Sequence, residues 1–186
     1  MGIKMDKAGV FFGTGYEEIE ALAVVDLLRR AQIDTVMVSV TGRPEVVGAH
    51  DITVKMDMLL EEVDFKELSM IVLPGGGGGT KVLEACQPLM EQVDIFYKEN
   101  KYIAAICAAP SILGHKGMLK GKKACSYPDF ESHLEGAEIS KAAVIADGNI
   151  ITARGMGCAV DFGLKLAAIL KGQDVADDLA ASIIRI

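Results

Sequence analysis

The stretch Tyr102 to Leu113, YIAAICAAPSIL, restricts the fold more than any other part of this chain. Its first half, Tyr102 to Ile106, is an unbroken apolar run of strand length, the pattern of a strand buried on both faces of a parallel sheet. Its second half holds Pro110, which has no N–H to donate and fits a helix only in its first turn. A helix therefore begins within a few residues of Cys107, and the cysteine falls on the strand-to-helix turn. A thiol there faces unpaired N–H groups and the positive end of a helix dipole, both of which favour thiolate. A free cysteine near pKa ~8.5 is only slightly ionised at neutral pH, whereas one at a helix terminus, in the range ~3.5 to 7.5, is largely thiolate. A lone cysteine in apolar surroundings is also an ordinary core residue, so the pattern alone leaves nucleophile and core readings both open.

The rest of the chain alternates strands and helices around this unit. Lys7 to Phe12 reads as a first strand, and Gly13-Thr14-Gly15 breaks it. Helical periodicity runs from about Glu17 to Ala31, with Leu22, Val25 and Leu28 on one face. Glu17, Glu18 and Glu20 open that helix, where carboxylates ordinarily do no more than complement the dipole. Thr35 to Val40 predicts a second strand, so the chain opens as a right-handed βαβ unit. Short strands around Gly48, from Glu45 to Val54, follow, and Leu59 to Leu68 suggests a helical turn or two. Met70 to Leu73 is another buried strand, ended by Pro74 and five glycines, Gly75 to Gly79. Such a run is expected outside the core, exposing N–H groups and admitting a close neighbour. No Lys-Ser/Thr of a P-loop follows it, which argues against a nucleotide cradle.

Leu89, Val93, Phe96 and Tyr97 share a helix face. Lys123 to Tyr127 predicts a strand ended by Pro128, and Ala143 to Ala153 a hairpin turning type I′ at Asp147-Gly148. Arg154-Gly155-Met156-Gly157 makes a second glycine-bounded loop. Helices marked by Phe162, Leu166, Ile169 and Leu170, and by Val175, Leu179 and Ile183, complete the chain. The expected architecture is a single α/β domain over residues 1–186, a doubly wound, mostly parallel, flavodoxin-like sheet sandwiched by helices. In such sheets ligands bind beyond the carboxyl ends of the strands, at a switch in strand order. Glu20, the glycine run and Cys107 all follow strand ends.

With 186 residues, 51% of them hydrophobic, the chain has material for one sizeable core. Its net charge of −7 argues against nucleic acid or an anionic membrane as partner. The four cysteines contain no CxxC pair, and no apolar span reaches membrane length. The opening MGIKMDKAG lacks an apolar signal core, so a cytoplasmic location is expected. His50, His115 and His133 are too dispersed in sequence for a metal motif, and no metal is expected.

Four segments, taken in order, carry a resemblance. Gly15-Tyr16-Glu17-Glu18-Ile19-Glu20, Leu73-Pro74-Gly75-Gly76, Ala104-Ala105-Ile106-Cys107-Ala108-Ala109-Pro110 and Thr152-Ala153-Arg154-Gly155 together resemble the ThiJ/PfpI superfamily. Within it the similarity is to the branch of the human parkinsonism-associated protein deglycase and its bacterial relatives, and it spans nearly the whole chain. The resemblance implies Cys107 as nucleophile and Glu20 as the carboxyl beside its sulfur. It implies Gly75, Gly76 and Ala108 as N–H donors of an oxyanion hole, Arg154 on a neighbouring loop, no cofactor, and a homodimer. A carboxyl beside a thiolate and largely out of water is expected to have a raised pKa and to shuttle a proton.

Three departures bear on chemistry. Ala108 stands where the protease-like branch carries a histidine, which removes the base a Cys-His peptidase needs. Tyr127 stands where the human branch has a histidine near the cysteine, and His50 where it has an arginine. The resemblance implies a cofactor-independent enzyme of glyoxalase or deglycase type. Its substrates would be small dicarbonyls, glyoxal or methylglyoxal, or their early protein adducts. The alternative is an oxidative-stress sensor or redox-regulated chaperone that uses the same cysteine through sulfinate formation.

Overall fold

The computed structural model describes residues 6–185. The reading of the opening MGIKMDKAG as free of a signal core falls mainly on residues 1–5, outside the described residues. Among the described residues no helix is long and apolar enough to cross a membrane.

The chain runs β1 (Lys7–Phe12), α1 (Glu18–Arg30), β2 (Asp34–Ser39), β3 (Glu45–Val47), β4 (Thr53–Lys55), β5 (Met58–Leu59), β6 (Met70–Leu73), α2 (Gly77–Ala85), α3 (Gln87–Lys98), β7 (Tyr102–Ile106) and α4 (Pro110–His115). It continues through β8 (Lys123–Ala124), β9 (Glu138–Ile139), β10 (Val144–Asp147), β11 (Ile150–Ala153), α5 (Ala159–Lys171) and α6 (Gln173–Ser182). Seven strands form the central sheet in the order β10-β11-β7-β6-β1-β2-β5, every pair parallel except β10 with β11.

The apolar runs are buried on both faces, as continuous hydrophobicity requires. Along β6 and β7, Met70, Val72, Ala104 and Ile106 join α1, α5 and α6 in one core. Ile71, Leu73, Ile103 and Ala105 join α2, α3 and α4 in the other. From β1 the chain grows outward through β2 in one direction and through β6 and β7 in the other. The switch in strand order therefore lies between β1 and β6, and the loops leaving these two strands open a crevice there.

Several expectations change in detail. The glycine run does not stay outside the core: Gly75, Gly76 and Gly79 are buried, and the last three glycines open α2, which periodicity did not reveal. The cause is steric. A Cβ on Gly79 would lie 2.6 Å from Tyr16 Cα, so these glycines let the β6 loop pack on the β1 loop, backbone to backbone. The strand expected over Lys123 to Tyr127 is only Lys123–Ala124, because the Cys125 N–H donates to the Thr152 hydroxyl and the Tyr127 N–H to Cys107 O rather than to a ladder partner. The Ala143 to Ala153 hairpin forms, but Asp147 pairs with Ile150, so the turn residues are Gly148 and Asn149. Gly148 has φ +64 and Asn149 keeps a negative φ, the pattern of a type II′ turn rather than type I′. The expected helical turn after Leu59 is a short 3-10 turn, Leu60–Glu62, preceded by the edge strand β5.

Candidate active site

Cys107 ends β7 and begins the turn into α4. Its N–H donates to Ala153 O at 2.9 Å, extending the β7–β11 ladder by one residue, and Ala109 N–H closes a reverse turn onto Ile106 O at 3.1 Å. Between these bonds Cys107 adopts φ +65, a conformation that side chains with a Cβ rarely take. Pro110 occupies the first turn of α4, as its missing N–H requires. A residue held at positive φ between strand and helix projects its side chain out of the sheet, the geometry of a nucleophile elbow.

Glu20 reaches the same place from the first turn of α1 and is only 1% exposed. Its Oε2 accepts the Gly75 N–H at 3.0 Å, while Oε1 is buried without a hydrogen-bond partner. Gly75 in turn accepts the Glu17 N–H at 3.0 Å, so the β6 loop is clasped to the start of α1. Glycine is obligatory there. A Cβ at position 75 would fall on the Glu20 carboxylate and lie 2.6 Å from Cys107 Cβ.

The electrostatics follow from this packing. Burial, and then the neighbouring Glu20 carboxylate, push the Cys107 thiol up to about 12, against the pull of the Gly76 and Ala108 N–H groups. The lowering expected from a helix terminus is overridden by burial and by the acid that faces the sulfur, and α4 is only six residues long. Burial also pushes Glu20 up to about 7, although the Cys107 thiol and the Gly75 N–H draw it down. The two groups form one acid pair. Glu20 releases a proton near 7 and the thiol then resists losing its own, so over the range between them the pair holds a single proton.

The expected site residues divide. Cys107, Glu20, Gly76, Ala108 and Tyr127 line one cleft of about 390 Å³, together with Glu17, His50, Gly77, Phe130 and Met156. Tyr127 is held by its N–H, which donates to Cys107 O at 2.9 Å, and its ring stands half exposed at the mouth. Two expectations are corrected. The Gly75 N–H is committed to Glu20, which leaves Gly76 and Ala108 as the N–H donors directed at the sulfur. Arg154 does not line the cleft; its Nε is buried without a partner and its charge bears on Cys125.

His50, Phe130 and Met156 join the cleft from loops, where no spacing rule announces them. His50, far from Glu18 in sequence, places Nδ1 2.9 Å from Glu18 Oε2 and 3.6 Å from Glu17 Oε1. Among the described residues these three are the only group of at least three potential metal ligands that converge, within 4.8 Å, and the Glu18–His50 contact there is a hydrogen bond. The other histidines meet each other instead, with His115 Nε2 3.0 Å from His133 Nδ1. Three other concavities of similar volume, one beside Phe65 and Lys101 and two on the α5 side of the molecule, contain no cysteine and no histidine.

An elbow cysteine facing a buried carboxyl beyond the carboxyl ends of a doubly wound sheet defines a class of small α/β proteins. The profile of the DJ-1/PfpI family matches residues 6–169, and the chain belongs to that family. It is 32% identical to the protein dj-1beta of Drosophila melanogaster over 94% of this chain and 95% of that one. It is 35% identical to the protein DJ-1 homolog B of Arabidopsis thaliana, covering 86% of this chain but 37% of that longer protein. A second Arabidopsis relative, DJ-1 homolog A, is likewise longer, and the match covers 41% of it. The fold superposes on the oxidized DJ-1 of Toxoplasma gondii with a TM-score of 0.92, at 32% identity, covering 96% of this chain and 98% of that one.

Proposed function

We propose that the protein is a cofactor-independent cysteine enzyme that converts small dicarbonyls, with methylglyoxal as the representative substrate, to hydroxy acids. The observation that carries this reading is geometric: Cys107, held at φ +65 on its strand-to-helix turn, lines one cleft with the buried Glu20 carboxyl, Gly76 and Ala108. Passage of the thiol proton to the Glu20 carboxylate makes Cys107 a thiolate. It adds to the aldehyde carbon, forming a C–S bond, and the new alkoxide takes the proton from Glu20 while the two N–H groups stabilise its charge. The Glu20 carboxylate then removes the hydrogen of that carbon as a proton and returns it to the adjacent carbon. The product is a thioester of the hydroxy acid, which water cleaves. No external oxidant or reductant is needed, because one carbon is oxidised as its neighbour is reduced.

A cleft of this size suits a three-carbon substrate, and Ala108 offers no histidine for peptidase chemistry. Hydroxy-acid formation from methylglyoxal by the purified protein, with Cys107→Ser as control, tests the reading. Turnover that survives Cys107→Ser, or none in the wild type, overturns it. A second reading, a redox sensor, is favoured by one observation: a solved relative with nearly the same fold is an oxidized DJ-1. Sulfinate on Cys107 would then be the functional state, with a protonated Glu20 donating to it.

A cytoplasmic homodimer accompanies the proposal. Ile19 at the start of α1 and Val47 and Ile52 on the adjoining β3–β4 hairpin are large exposed apolar side chains on neighbouring elements, the composition of a contact surface. Sedimentation giving a monomer at micromolar concentration would exclude it.

A further inference from the structure

The β3–β4 loop wraps around one buried carboxylate. Glu18, 4% exposed, accepts the His50 N–H at 2.8 Å on Oε1, and its Oε2 lies 2.9 Å from His50 Nδ1. A side chain at Gly48 would collide with this carboxylate, so the loop is shaped to hold it. Burial works against the charge on Glu18, but the bonds from His50 outweigh it and leave the carboxyl below its ordinary range. An ionised carboxylate only accepts, so the neutral form of His50 carries its proton on Nδ1 and presents the lone pair of Nε2. That nitrogen has no protein partner among the described residues, and His50 lines the Cys107 cleft with a side chain 67% exposed to water.

A buried carboxylate that orients an imidazole lining the same cleft as the Cys107 thiol has the arrangement of a base and its orienting group. We infer that His50, positioned by Glu18, is a second acid/base of this cleft and activates the water that cleaves the acyl group from Cys107. The inference rests on the reading that Cys107 carries a covalent acyl intermediate. In this step the water oxygen bonds to the thioester carbon, its proton passes to His50 Nε2, and the C–S bond breaks. Sulfur leaves as thiolate beside the Gly76 and Ala108 N–H groups, and the imidazolium releases its proton to solvent. Glu20 is poorly placed for this work, being buried with one oxygen held by Gly75, whereas His50 stands at the wet mouth. The groups facing His50 are Glu17 and Glu18 from α1 and Asp51 from its own loop, with Cys107, Glu20 and Tyr127 on the same cleft. The hydrogen bond to Glu18, followed by the charge of Glu17, raises the pKa of His50.

The test uses 4-nitrophenyl acetate, which acylates a reactive thiol directly and so separates this step from dicarbonyl chemistry. Wild type, His50→Ala, His50→Gln and Glu18→Gln are each expected to give a burst of one nitrophenolate per Cys107, which Cys107→Ser abolishes. The steady rate after the burst should fall by ~10² in both His50 variants, the scale of one lost general base, with acetyl-Cys107 accumulating by mass spectrometry. Glu18→Gln should slow deacylation less, and the pH at which its rate rises should move below that of wild type, a shift that mere packing damage does not produce. Deacylation by both His50 variants at the wild-type rate overturns the inference, and so does a wild type without a burst. A burst lost in both His50 variants also overturns it, because His50 then acts before the acyl-enzyme forms. A wild type that shows His50-dependent deacylation but does not convert methylglyoxal removes the proposed substrate and leaves this inference standing.

Discussion

Glu18 and Glu20 lie two residues apart at the start of α1, at 4% and 1% exposure, yet their surroundings move them in opposite directions. Glu18 receives two donors, the N–H and the imidazole of His50, and stays ionised below its ordinary range. Glu20 accepts the Gly75 N–H on one oxygen and keeps the other without a partner, and burial raises its pKa to about 7 although the Cys107 thiol and the Gly75 N–H draw it down. Burial opposes the charge on both; it prevails at Glu20 and is outweighed by His50 at Glu18. Each accepts one backbone N–H from a different loop, β3–β4 for Glu18 and β6–α2 for Glu20, and what separates them is the second donor that the His50 imidazole gives Glu18 alone. One short helix end thus provides a fixed negative charge to orient an imidazole and a movable proton to serve a thiol.

The largest effect should come from the floor of the cleft. Cys107→Ser is expected to lower methylglyoxal turnover by at least ~10³, as removal of a nucleophile does. Wild-type Cys107 should be alkylated by iodoacetamide near neutral pH, through the thiolate formed when its proton passes to Glu20. An alkylation midpoint close to 12 instead would leave the shared proton on sulfur and sink the nucleophile reading. Glu20→Gln should keep the thiol open to alkylation while turnover falls by ~10², because a donor remains but no proton can be exchanged. Equal turnover in wild type and Glu20→Gln would erase the contrast drawn between the two carboxylates.

Stability should record the same contrast. The folded pKa of Glu20, about 7, exceeds its ordinary 4.5, so the folded chain binds the extra proton between those values. Wild-type stability should therefore decline by about 3 kcal/mol as pH rises through that window, a decline that Glu20→Gln removes. Glu18 has the opposite sign. Its contribution is present above 4.5 and is lost as pH falls through its lowered folded value, so Glu18→Gln should flatten the acid side of the curve. Urea unfolding from pH 3 to 8 reads both, and parallel curves for the two variants would contradict the assignment. The smallest effect is reserved for Tyr127→Phe. Tyr127 is tied to the site by its backbone N–H while its ring stands half exposed at the mouth, so turnover should change by less than about threefold.

The doubly wound sheet was legible because buried parallel strands are continuous apolar runs, and Tyr102–Ile106 and Met70–Leu73 are such runs. Cys107 could be placed on its turn because Pro110 admits only one position in a helix. The partners of Cys107 were legible only through four motifs read together, since Glu20 is indistinguishable by pattern from Glu17 and Glu18. α2 was hidden because glycines signal loops, and only the contact with Tyr16 explains why a helix begins among them. The His50–Glu18 bond joins residues 32 positions apart, and no local spacing encodes it. Arg154 was misplaced for the converse reason: a motif fixes its backbone but not the direction of a long side chain.

The backbone at Cys107 sets two selections against each other. At φ +65 a residue with a Cβ costs about 1–2 kcal/mol relative to glycine. A population of variants sorted for thermal resistance alone would therefore drift toward glycine at this position and lose the thiol, whereas one sorted for turnover would hold the cysteine and forgo that margin. Position 107 is a place where fitness for folding and fitness for chemistry pull apart within a single residue. Which residue survives in a library reports which of the two was selected.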